Sequence, residues 1–375
     1  MKKIAFMMAI VLMLPKLVSA EQPNLEINAK SALLMEQSTG NILYEQNADE
    51  PLPIASVTKI MTMLLICEAI DDGKISLNDM VPVSERAMSM GGSTMFLETG
   101  DLISVDEMLK GIAVASANDG AVAMAEYVAG SEEEFVRQMN VRAKELGMTN
   151  TQFINTNGLD AEGHYASARD VALMSRELLN YELIFNYTKI WTDTMRGGKF
   201  ELANTNKLIR FYEGANGLKT GSTSRALCCL SATAERNGMQ LIAVVLGASD
   251  SNSRFDGART LLDYGFSAYT VRDIIPLNEE LGKLSVSGGV EKEVGCLVRH
   301  RFTELVPKSD TSVFEYTIRP LGKLKAPVYT GDCIGEAVVT KDGKEYKTVP
   351  VYASGEVDKK TFFISLAEIL KLIYQ

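Results

Sequence analysis

Histidine is scarce in this chain of 375 residues, which contains only His164 and His300, together with a single tryptophan. A Ser-His-Asp catalytic triad needs a histidine as its general base. His300, in "LVRHRFTE", is typical of a surface residue. His164 lies in the glycine-punctuated segment "NGLDAEGHYASARD", where a histidine more often holds a loop together than acts as a base. A histidine-based triad is therefore poorly supported.

Cysteine is also sparse, and its arrangement matches no known framework. The five cysteines are odd in number and irregularly spaced, and no CxxC pattern of a zinc or redox site occurs. We predict no essential disulfide, no metal ion and no cofactor. The cysteines are expected to behave as small buried hydrophobic residues.

Positive charge is in the minority, since 38 Lys and Arg face 48 Asp and Glu, for a formal net charge of −10. Without a long basic run the chain has little means of neutralising phosphates, and nucleic-acid binding is not expected. The hydrophobic content of 46% over 375 residues is enough for substantial cores and two domains. The composition indicates an acidic globular protein.

Long apolar runs are absent as well, apart from a short one at the N-terminus. The segment "MKKIAFMMAIVLMLPKLVSA" has two lysines, an apolar stretch too short for a bilayer, and the small-x-small ending Val18-Ser19-Ala20. This pattern predicts a signal peptide over residues 1–20, and hence a protein exported beyond the cytoplasmic membrane. It would act at the outer face of that membrane or in the cell wall.

Hydrophobic patterning divides the rest of the chain. Strand patterns at 31–47 and from 217 onward enclose a mostly helical middle, with Asn237-Gly238 marking a hairpin and 253–269 returning to helical spacing. These patterns predict an α/β (α+β) domain over 21–270, in which an antiparallel sheet is flanked by helices and carries a helical subdomain. A small all-β domain is predicted over 271–360.

The C-terminal segment 361–375 has one apolar helical stripe. It is predicted to form an amphipathic helix, which would either pack on its own domain or lie in a membrane surface as an anchor. The residues leave both options open.

Three short motifs contain side chains that could take part in catalysis or substrate binding. Ser56-Val57-Thr58-Lys59 places a hydroxyl and an amine one helical turn apart in an apolar helix. Burial there would lower the pKa of the lysine, so that a neutral amine could take the serine proton. The second motif, Ser116-Ala117-Asn118, offers a hydroxyl for proton relay and an amide for a peptide group, although alone it is more typical of a helix cap.

The third motif, Lys219-Thr220-Gly221, lies in "GANGLKTGST" at the start of a strand. It could place a cation and a hydroxyl beside a carboxylate, with Gly221 leaving room for a substrate along the strand edge. Alone, it is also compatible with an ordinary turn into a strand.

All three motifs in this order resemble the set found in penicillin-recognising enzymes with an active-site serine. The sequence over 27–270 is similar to low-molecular-mass penicillin-binding proteins, in particular to serine-type D-alanyl-D-alanine carboxypeptidases of peptidase family S11. The similar group is the one related to penicillin-binding protein 5 and to sporulation-associated enzymes. The segments that carry the resemblance are "ASVTKIMTMLL", "VASANDGAVAMAEYVAGSEEEFV", "NTNGLD", "GHYASARDVA", "NTNKLI" and "GANGLKTGST".

The resemblance implies a transpeptidase-like fold of the penicillin-binding and β-lactamase type, and it implies roles for three catalytic residues. Ser56 would attack the penultimate D-alanine carbonyl of a peptidoglycan stem peptide and form an acyl-enzyme. Lys59 would act as its general base, and Ser116 as a proton relay. Penicillin would acylate Ser56 durably.

The resemblance also implies substrate-binding roles. Asn118 would hold the acyl chain, Lys219 and Thr220 would meet the terminal carboxylate, and Gly221 and Ser222 would line the site. Backbone N–H groups of Ser56 and Ser222 would form the oxyanion hole. Ala117 stands where many relatives have glycine.

Three alternatives remain. A class A β-lactamase shares the motifs and deacylates through a glutamate four residues before an asparagine, a spacing that Glu182 and Asn186 reproduce. We interpret that spacing as coincidence, because it lies close before Lys219. A D,D-endopeptidase of peptidoglycan cross-links is closer chemically. The third alternative is a wall-binding protein with an inactive site.

Overall fold

The computed structural model describes residues 23–198, 200–277, 279–362 and Ile364. The predicted signal peptide lies outside the described residues, as does nearly all of the predicted C-terminal helix. Within the described ranges no helix is long and apolar enough to cross a membrane.

The helices and strands up to residue 211 follow in chain order. They are β1 (Ser31–Glu36), β2 (Ile42–Gln46), α1 (Lys59–Asp71), β3 (Met80–Pro82), α2 (Glu85–Met88), β4 (Leu102–Ser104), α3 (Val105–Lys110), α4 (Asn118–Ala129), α5 (Glu132–Glu145), α6 (Ala168–Leu178), α7 (Phe185–Thr188), β5 (Thr192–Met195), β6 (Phe200–Ala203) and α8 (Leu208–Phe211).

The remaining elements are mainly strands. They are β7 (Ala215–Thr223), β8 (Leu227–Arg236), β9 (Met239–Ala248), α9 (Ser251–Ala268), β10 (Tyr269–Ile275), β11 (Lys283–Ser287), β12 (Glu293–Leu297), β13 (Phe302–Pro307), β14 (Phe314–Pro320), β15 (Leu324–Lys325), β16 (Cys333–Lys341) and β17 (Lys344–Ala353).

The central sheet has five strands in the order β2-β1-β9-β8-β7, and each neighbouring pair is antiparallel. One apolar core lies between this sheet and α1, α4 and α6, while a second lies between the opposite face and α9. Because both faces are covered, β9 is buried along its whole length and its sequence is almost continuously apolar. The predicted α/β architecture is confirmed. Strand β7 forms one edge of the sheet.

The predicted hairpins occur where turn residues marked them. Asn237 and Gly238 both have positive φ, at 51° and 75°, between β8 and β9. That combination matches the right-handed twist of two adjoining strands.

The mostly helical middle of the chain is interrupted at the second motif. After α3 the chain forms a π-helical turn, Gly111–Ala115, and Ser116 then adopts left-handed angles of φ 65° and ψ 34°. A left-handed residue ends a right-handed helix, so α4 begins anew at Asn118. The Ser116 motif therefore lies in the break between two helices, a position compatible with the helix cap expected from the sequence.

The C-terminal region is an all-β domain. Its main sheet has six strands in the order β14-β16-β17-β12-β11-β15, and it encloses an apolar core of its own. Strands β10 and β13 form a separate two-stranded ribbon. Leu305 of this ribbon packs in the core beside α9, whereas Ile274 and Ile275 pack in the C-terminal core. The ribbon thus contributes side chains to both parts of the molecule.

Candidate active site

Ser56 and Lys59 are brought together by the local helix geometry. Ser56 lies in a short 3-10 turn, Ala55–Thr58, that leads directly into α1, whose first residue is Lys59. The Lys59 side chain is fully buried, and its Nζ lies 2.9 Å from Ser56 Oγ. The spacing of one helical turn thus produces the serine–amine contact predicted from the sequence.

Two further contacts constrain the Lys59 amine. Its Nζ donates to Asn118 Oδ1 at 2.6 Å and to the Asn157 carbonyl oxygen at 2.7 Å. The Asn118 amide is oriented by its Nδ2, which donates to the Gly91 carbonyl at 2.6 Å. A carbonyl can only accept, so this bond turns Oδ1 toward the lysine. Both partners are pure acceptors, and a neutral amine can satisfy them with its two N–H groups while its lone pair faces the Ser56 hydroxyl.

The electrostatics favour that neutral amine. Burial holds the pKa of Lys59 well below its usual range, and the positive charge of Lys219 lowers it further, while Asp119 opposes the shift. The Asp119 carboxylate accepts from three backbone N–H groups, those of Met95, Leu97 and Gly120, and is fully committed to them. Lys59 is therefore equipped to act as a base.

Ser116 lies in the helix break, two residues before Asn118. Its side chain is buried, and no hydrogen-bond partner for its hydroxyl exists among the described residues. A buried hydroxyl without a partner costs stability, and such groups in native proteins call for an explanation. A substrate group that needs a donor or acceptor would supply the missing partner.

The edge strand β7 carries the third motif. Lys219 and Thr220 are buried, and the Thr220 hydroxyl donates to Thr205 Oγ1 at 2.7 Å. Ser222 is exposed, and Thr223 near the strand end donates from its hydroxyl to Asp160 Oδ1 at 2.7 Å. Earlier along the strand the Asn216 carbonyl accepts from Thr188 Oγ1. Thr188 thus occupies a backbone acceptor in the first part of β7, and the candidate residues 219–222 lie in the later part.

Gly221 lies against the turn that carries Ser56. A Cβ at this position would stand 2.6 Å from the Ile54 carbonyl oxygen and 3.0 Å from the backbone nitrogens of Ser56 and Val57. Real Cβ contacts are not that short with backbone, which has little freedom to move. That Gly221 makes room for a substrate stays a prediction. The structure shows that it lets β7 and the Ser56 turn approach each other.

Lys219 is a second buried cation. Its Nζ donates to the Thr220 carbonyl at 3.1 Å, and burial together with the charge of Arg254 lowers its pKa to about 7. Arg254, on α9, donates to the Gly221 carbonyl at 3.1 Å. Its Nε is buried without a partner among the described residues. Neither cation has a carboxylate partner in the part of the chain that the structure describes, so this part of β7 is a favourable place for an anion.

Three partners in the site were not singled out from the sequence. They are the Asn157 carbonyl that accepts from Lys59, Thr205 beside Thr220, and Arg254 beneath Gly221. Asn157 and Thr205 do fall within the family-like segments "NTNGLD" and "NTNKLI". A backbone carbonyl has no side-chain pattern by which sequence analysis could have found it.

The two histidines follow the expectation from the sequence. His300 is exposed in the β domain. His164 is buried, and it bonds to the Ile154 backbone nitrogen and to Thr58 Oγ1, so it does hold a loop in place.

Glu182 does not support a β-lactamase site. It lines a surface cavity of about 400 Å³ together with Cys67 and Asp71, near the C-terminal end of α1. Lys59 is at the other end of that helix, roughly 12–18 Å away at the α-helical rise per residue. The glutamate spacing is therefore a coincidence, as interpreted from the sequence.

Two family models and a curated relative match this chain. The family model for the D-alanyl-D-alanine carboxypeptidases of peptidase S11 matches residues 16–250, and that for the C-terminal domain of penicillin-binding protein 5 matches residues 269–359. D-alanyl-D-alanine carboxypeptidase DacF of Bacillus subtilis is 46% identical over 342 residues, which cover 90% of this chain and 88% of the relative.

Solved structures are similar as well. Penicillin-binding protein 5 from Haemophilus influenzae has a TM-score of 0.72 and 30% identity, covering 90% of this chain and 99% of that chain. Penicillin-binding protein D2 from Listeria monocytogenes in its ampicillin-bound form has a TM-score of 0.60 and 33% identity, covering 65% of this chain and 100% of that chain.

Proposed function

The chain belongs to the D-alanyl-D-alanine carboxypeptidases of the peptidase S11 family, and on that premise we propose that it removes the terminal D-alanine from peptidoglycan stem pentapeptides through an acyl-enzyme on Ser56. One observation carries the assignment of the nucleophile. Lys59 Nζ lies 2.9 Å from Ser56 Oγ, and its other two hydrogen bonds go to pure acceptors. The lone pair of the neutral amine is thereby directed at the serine proton.

Acylation transfers one proton and exchanges one bond. Lys59 accepts the hydroxyl proton of Ser56 as Oγ bonds to the carbonyl carbon of the penultimate D-alanine. The oxyanion that forms is held by the backbone N–H groups of Ser56 and Ser222, a contribution of about 3 kcal/mol per donor in comparable sites. As the intermediate collapses, the C–N bond to the terminal D-alanine breaks, and the proton passes from Lys59 through the Ser116 hydroxyl to the leaving amine.

Deacylation restores the enzyme. Water adds to the ester carbonyl and loses a proton to the neutral Lys59, and the ester C–O bond then breaks as Ser56 Oγ regains a proton. The net reaction consumes one water and releases a shortened stem peptide and free D-alanine.

A terminal carboxylate would account for the cations at β7, Lys219 on the strand and Arg254 on α9. Lys219 and Thr220 would contact it, with the charge of Arg254 adding to the field from behind the strand, and Asn118 would hold the acyl chain. A carboxypeptidase substrate ends in a free carboxylate, which these groups could meet. β-Lactams carry a carboxylate in a comparable position, and we propose that they acylate Ser56 at this same site.

We further propose that the enzyme is exported through residues 1–20 and acts on the cell wall. The proposed division places the catalytic domain at 21–270, the β-rich domain at 271–360 and a possible membrane-surface helix at 361–375.

Mass spectrometry after incubation with a labelled penicillin tests the assignment. We expect a slow-clearing adduct on Ser56 that is absent from Ser56→Ala and retained in the control Ser285→Ala, an exposed serine of the β domain. Release of D-alanine from a pentapeptide should be lost in the same variant. Cleavage of cross-linked peptides without D-alanine release would make the enzyme an endopeptidase, and rapid turnover of penicillin would make it a β-lactamase.

A further inference from the structure

The turn that presents Ser56 contains an unusual backbone conformation. Ala55, just before the serine, has a φ of 48°, a left-handed value that residues with a side chain seldom adopt. Its carbonyl oxygen accepts from the Thr58 hydroxyl at 2.8 Å. The same carbonyl lies so close to Gly158 that a Cβ on that glycine would collide with it. The surroundings thus hold the Ala55 carbonyl in one orientation.

His164 is the outer member of this arrangement. Its Nδ1 accepts from the Ile154 backbone N–H at 3.1 Å, and its Nε2 lies 2.7 Å from Thr58 Oγ1. An imidazole nitrogen that accepts from a backbone N–H carries no proton, so the proton is on Nε2. Thr58 requires the same tautomer, because its only hydroxyl proton is already donated to the Ala55 carbonyl. The hydrogen bonds therefore run in one direction, from Ile154 through His164 and Thr58 to Ala55.

The orientation of the Ala55 carbonyl determines where the Ser56 N–H points. A trans peptide unit is planar, and its C=O and N–H groups point in opposite directions. Fixing the Ala55 oxygen on the side of Gly158 therefore aims the Ser56 N–H at the opposite side. A Cβ on Gly158 would meet the Ala55 oxygen first, whereas a Cβ on Gly221 would have the Ser56 nitrogen, at 3.0 Å, and not the Ala55 oxygen among its nearest atoms, so Gly221 lies toward the nitrogen end of this peptide. This is the side on which the proposed oxyanion hole opens, beside Ser222.

We propose that His164 is a positioning residue for acylation, which acts through the Thr58 hydroxyl to hold the Ala55–Ser56 peptide and so to aim the Ser56 N–H at the developing oxyanion. This inference rests on the proposed function. His164 touches neither substrate nor Ser56. Its effect is to stabilise the transition state of acylation, in which the oxyanion forms. It should not affect recognition of the carboxylate at β7.

Two amide variants separate the two nitrogens of the ring. In His164→Asn the side-chain oxygen can replace Nδ1 and accept from Ile154, but the side chain is too short to reach Thr58. In His164→Gln the amide N–H can replace Nε2 and donate to Thr58, while the acceptor for Ile154 is lost. We measure the maximal rate of acylation by a fluorescent penicillin and the concentration that gives half that rate, together with D-alanine release from an acyl-D-Ala-D-Ala peptide.

We expect the Asn variant to acylate about ten- to a hundredfold more slowly, a part of the effect of deleting an oxyanion donor. The half-saturating concentration should not change, and the Gln variant should recover most of the rate. Thr58→Val should slow acylation as the Asn variant does, and adding His164→Asn to it should cause no further loss. Thr58→Val also carries the test if the Asn variant fails to fold.

Several results would overturn the inference. Equal rates in the Asn and Gln variants would mean that the bond to Thr58 does not matter for acylation. Independent, multiplying losses from Thr58→Val and His164→Asn would mean that the two residues do not act in series. A wild-type protein that forms no adduct on Ser56 would instead refute the proposed function, and this inference with it.

Discussion

The activity of the enzyme should decline on the alkaline side at a pH that is unusually low for a site that depends on a lysine. We expect Lys219 to cause this decline. Burial and the charge of Arg254 lower the pKa of Lys219 to about 7, from an ordinary value of 10.5. In the proposed mechanism the protonated form attracts the substrate carboxylate. As the pH rises through about 7, the free enzyme therefore loses the charge it needs, and kcat/KM should fall about tenfold for each further pH unit.

The assay is D-alanine release from an acyl-D-Ala-D-Ala peptide between about pH 6 and pH 10, a range that spans the expected fall of kcat/KM. In Lys219→Arg the guanidinium stays charged throughout, so the fall above neutral pH should disappear, even if the altered geometry lowers the overall rate. The control Lys323→Arg changes an exposed residue of the β domain, and it should retain the fall of kcat/KM above neutral pH. A wild-type kcat/KM that stays level up to pH 9 would refute the reasoning, and so would a fall of kcat/KM above neutral pH that persists in Lys219→Arg.

Three other predictions concern the surroundings of the nucleophile. Gly221→Ala should lower the free energy of unfolding by about 1–3 kcal/mol and slow penicillin acylation, because its Cβ would stand 3.0 Å from the Ser56 nitrogen. Denaturant unfolding and adduct formation measure the two effects, and a variant as stable as wild type would contradict the first. Asn118→Asp places a carboxylate against Lys59, which should raise the pKa of that lysine. Acylation should then be slow at neutral pH and recover on the alkaline side, whereas an unchanged pH profile would argue against a neutral base. Burial lowers the pKa of His164 from 6.5 to about 4, so its stabilising contribution is complete above pH 6.5 and is lost as the pH falls to about 4. Relative to His164→Gln, the wild type should lose about 3 kcal/mol of unfolding free energy over that window, as urea titrations at several pH values would show.

How well the sequence predicted each contact of the site depends on how far apart in the sequence the two residues are. The Ser56–Lys59 pair is local, and helical periodicity alone places the two side chains on one face. The contact between Lys59 and Asn118 joins residues 59 positions apart, and only the order of the motifs pointed to it. The Asn157 carbonyl could not be predicted, because a backbone acceptor looks the same at every residue.

The fold shows the same division. The hairpin at Asn237 and Gly238 was predicted because these residue types tolerate the positive φ that the turn needs. At Ser116 a helix cap was expected but the left-handed conformation was not, because a serine in an Ala- and Val-rich run has no local reason to adopt it. The break places Ser116 two residues before Asn118, which accepts from Lys59. At Ser116, unlike at Ser56 and Lys59, a candidate functional residue lies where the local preference was overruled.

The proposed mechanism needs opposite protonation states in the two buried lysines, Lys59 and Lys219, and the coupling between them is compatible with both. The charge of Lys219 is the second-largest cause that lowers the pKa of Lys59, after burial. In the free enzyme this repulsion keeps Lys59 neutral and able to accept a proton. A substrate carboxylate that binds at Lys219 offsets the positive charge, and the pKa of Lys59 then rises. A base becomes stronger as its pKa rises, provided that it is still unprotonated. Substrate binding would therefore strengthen the base at the moment when the Ser56 proton must be removed, and a ligand without the carboxylate would leave Lys59 the weaker base that it is in the free enzyme.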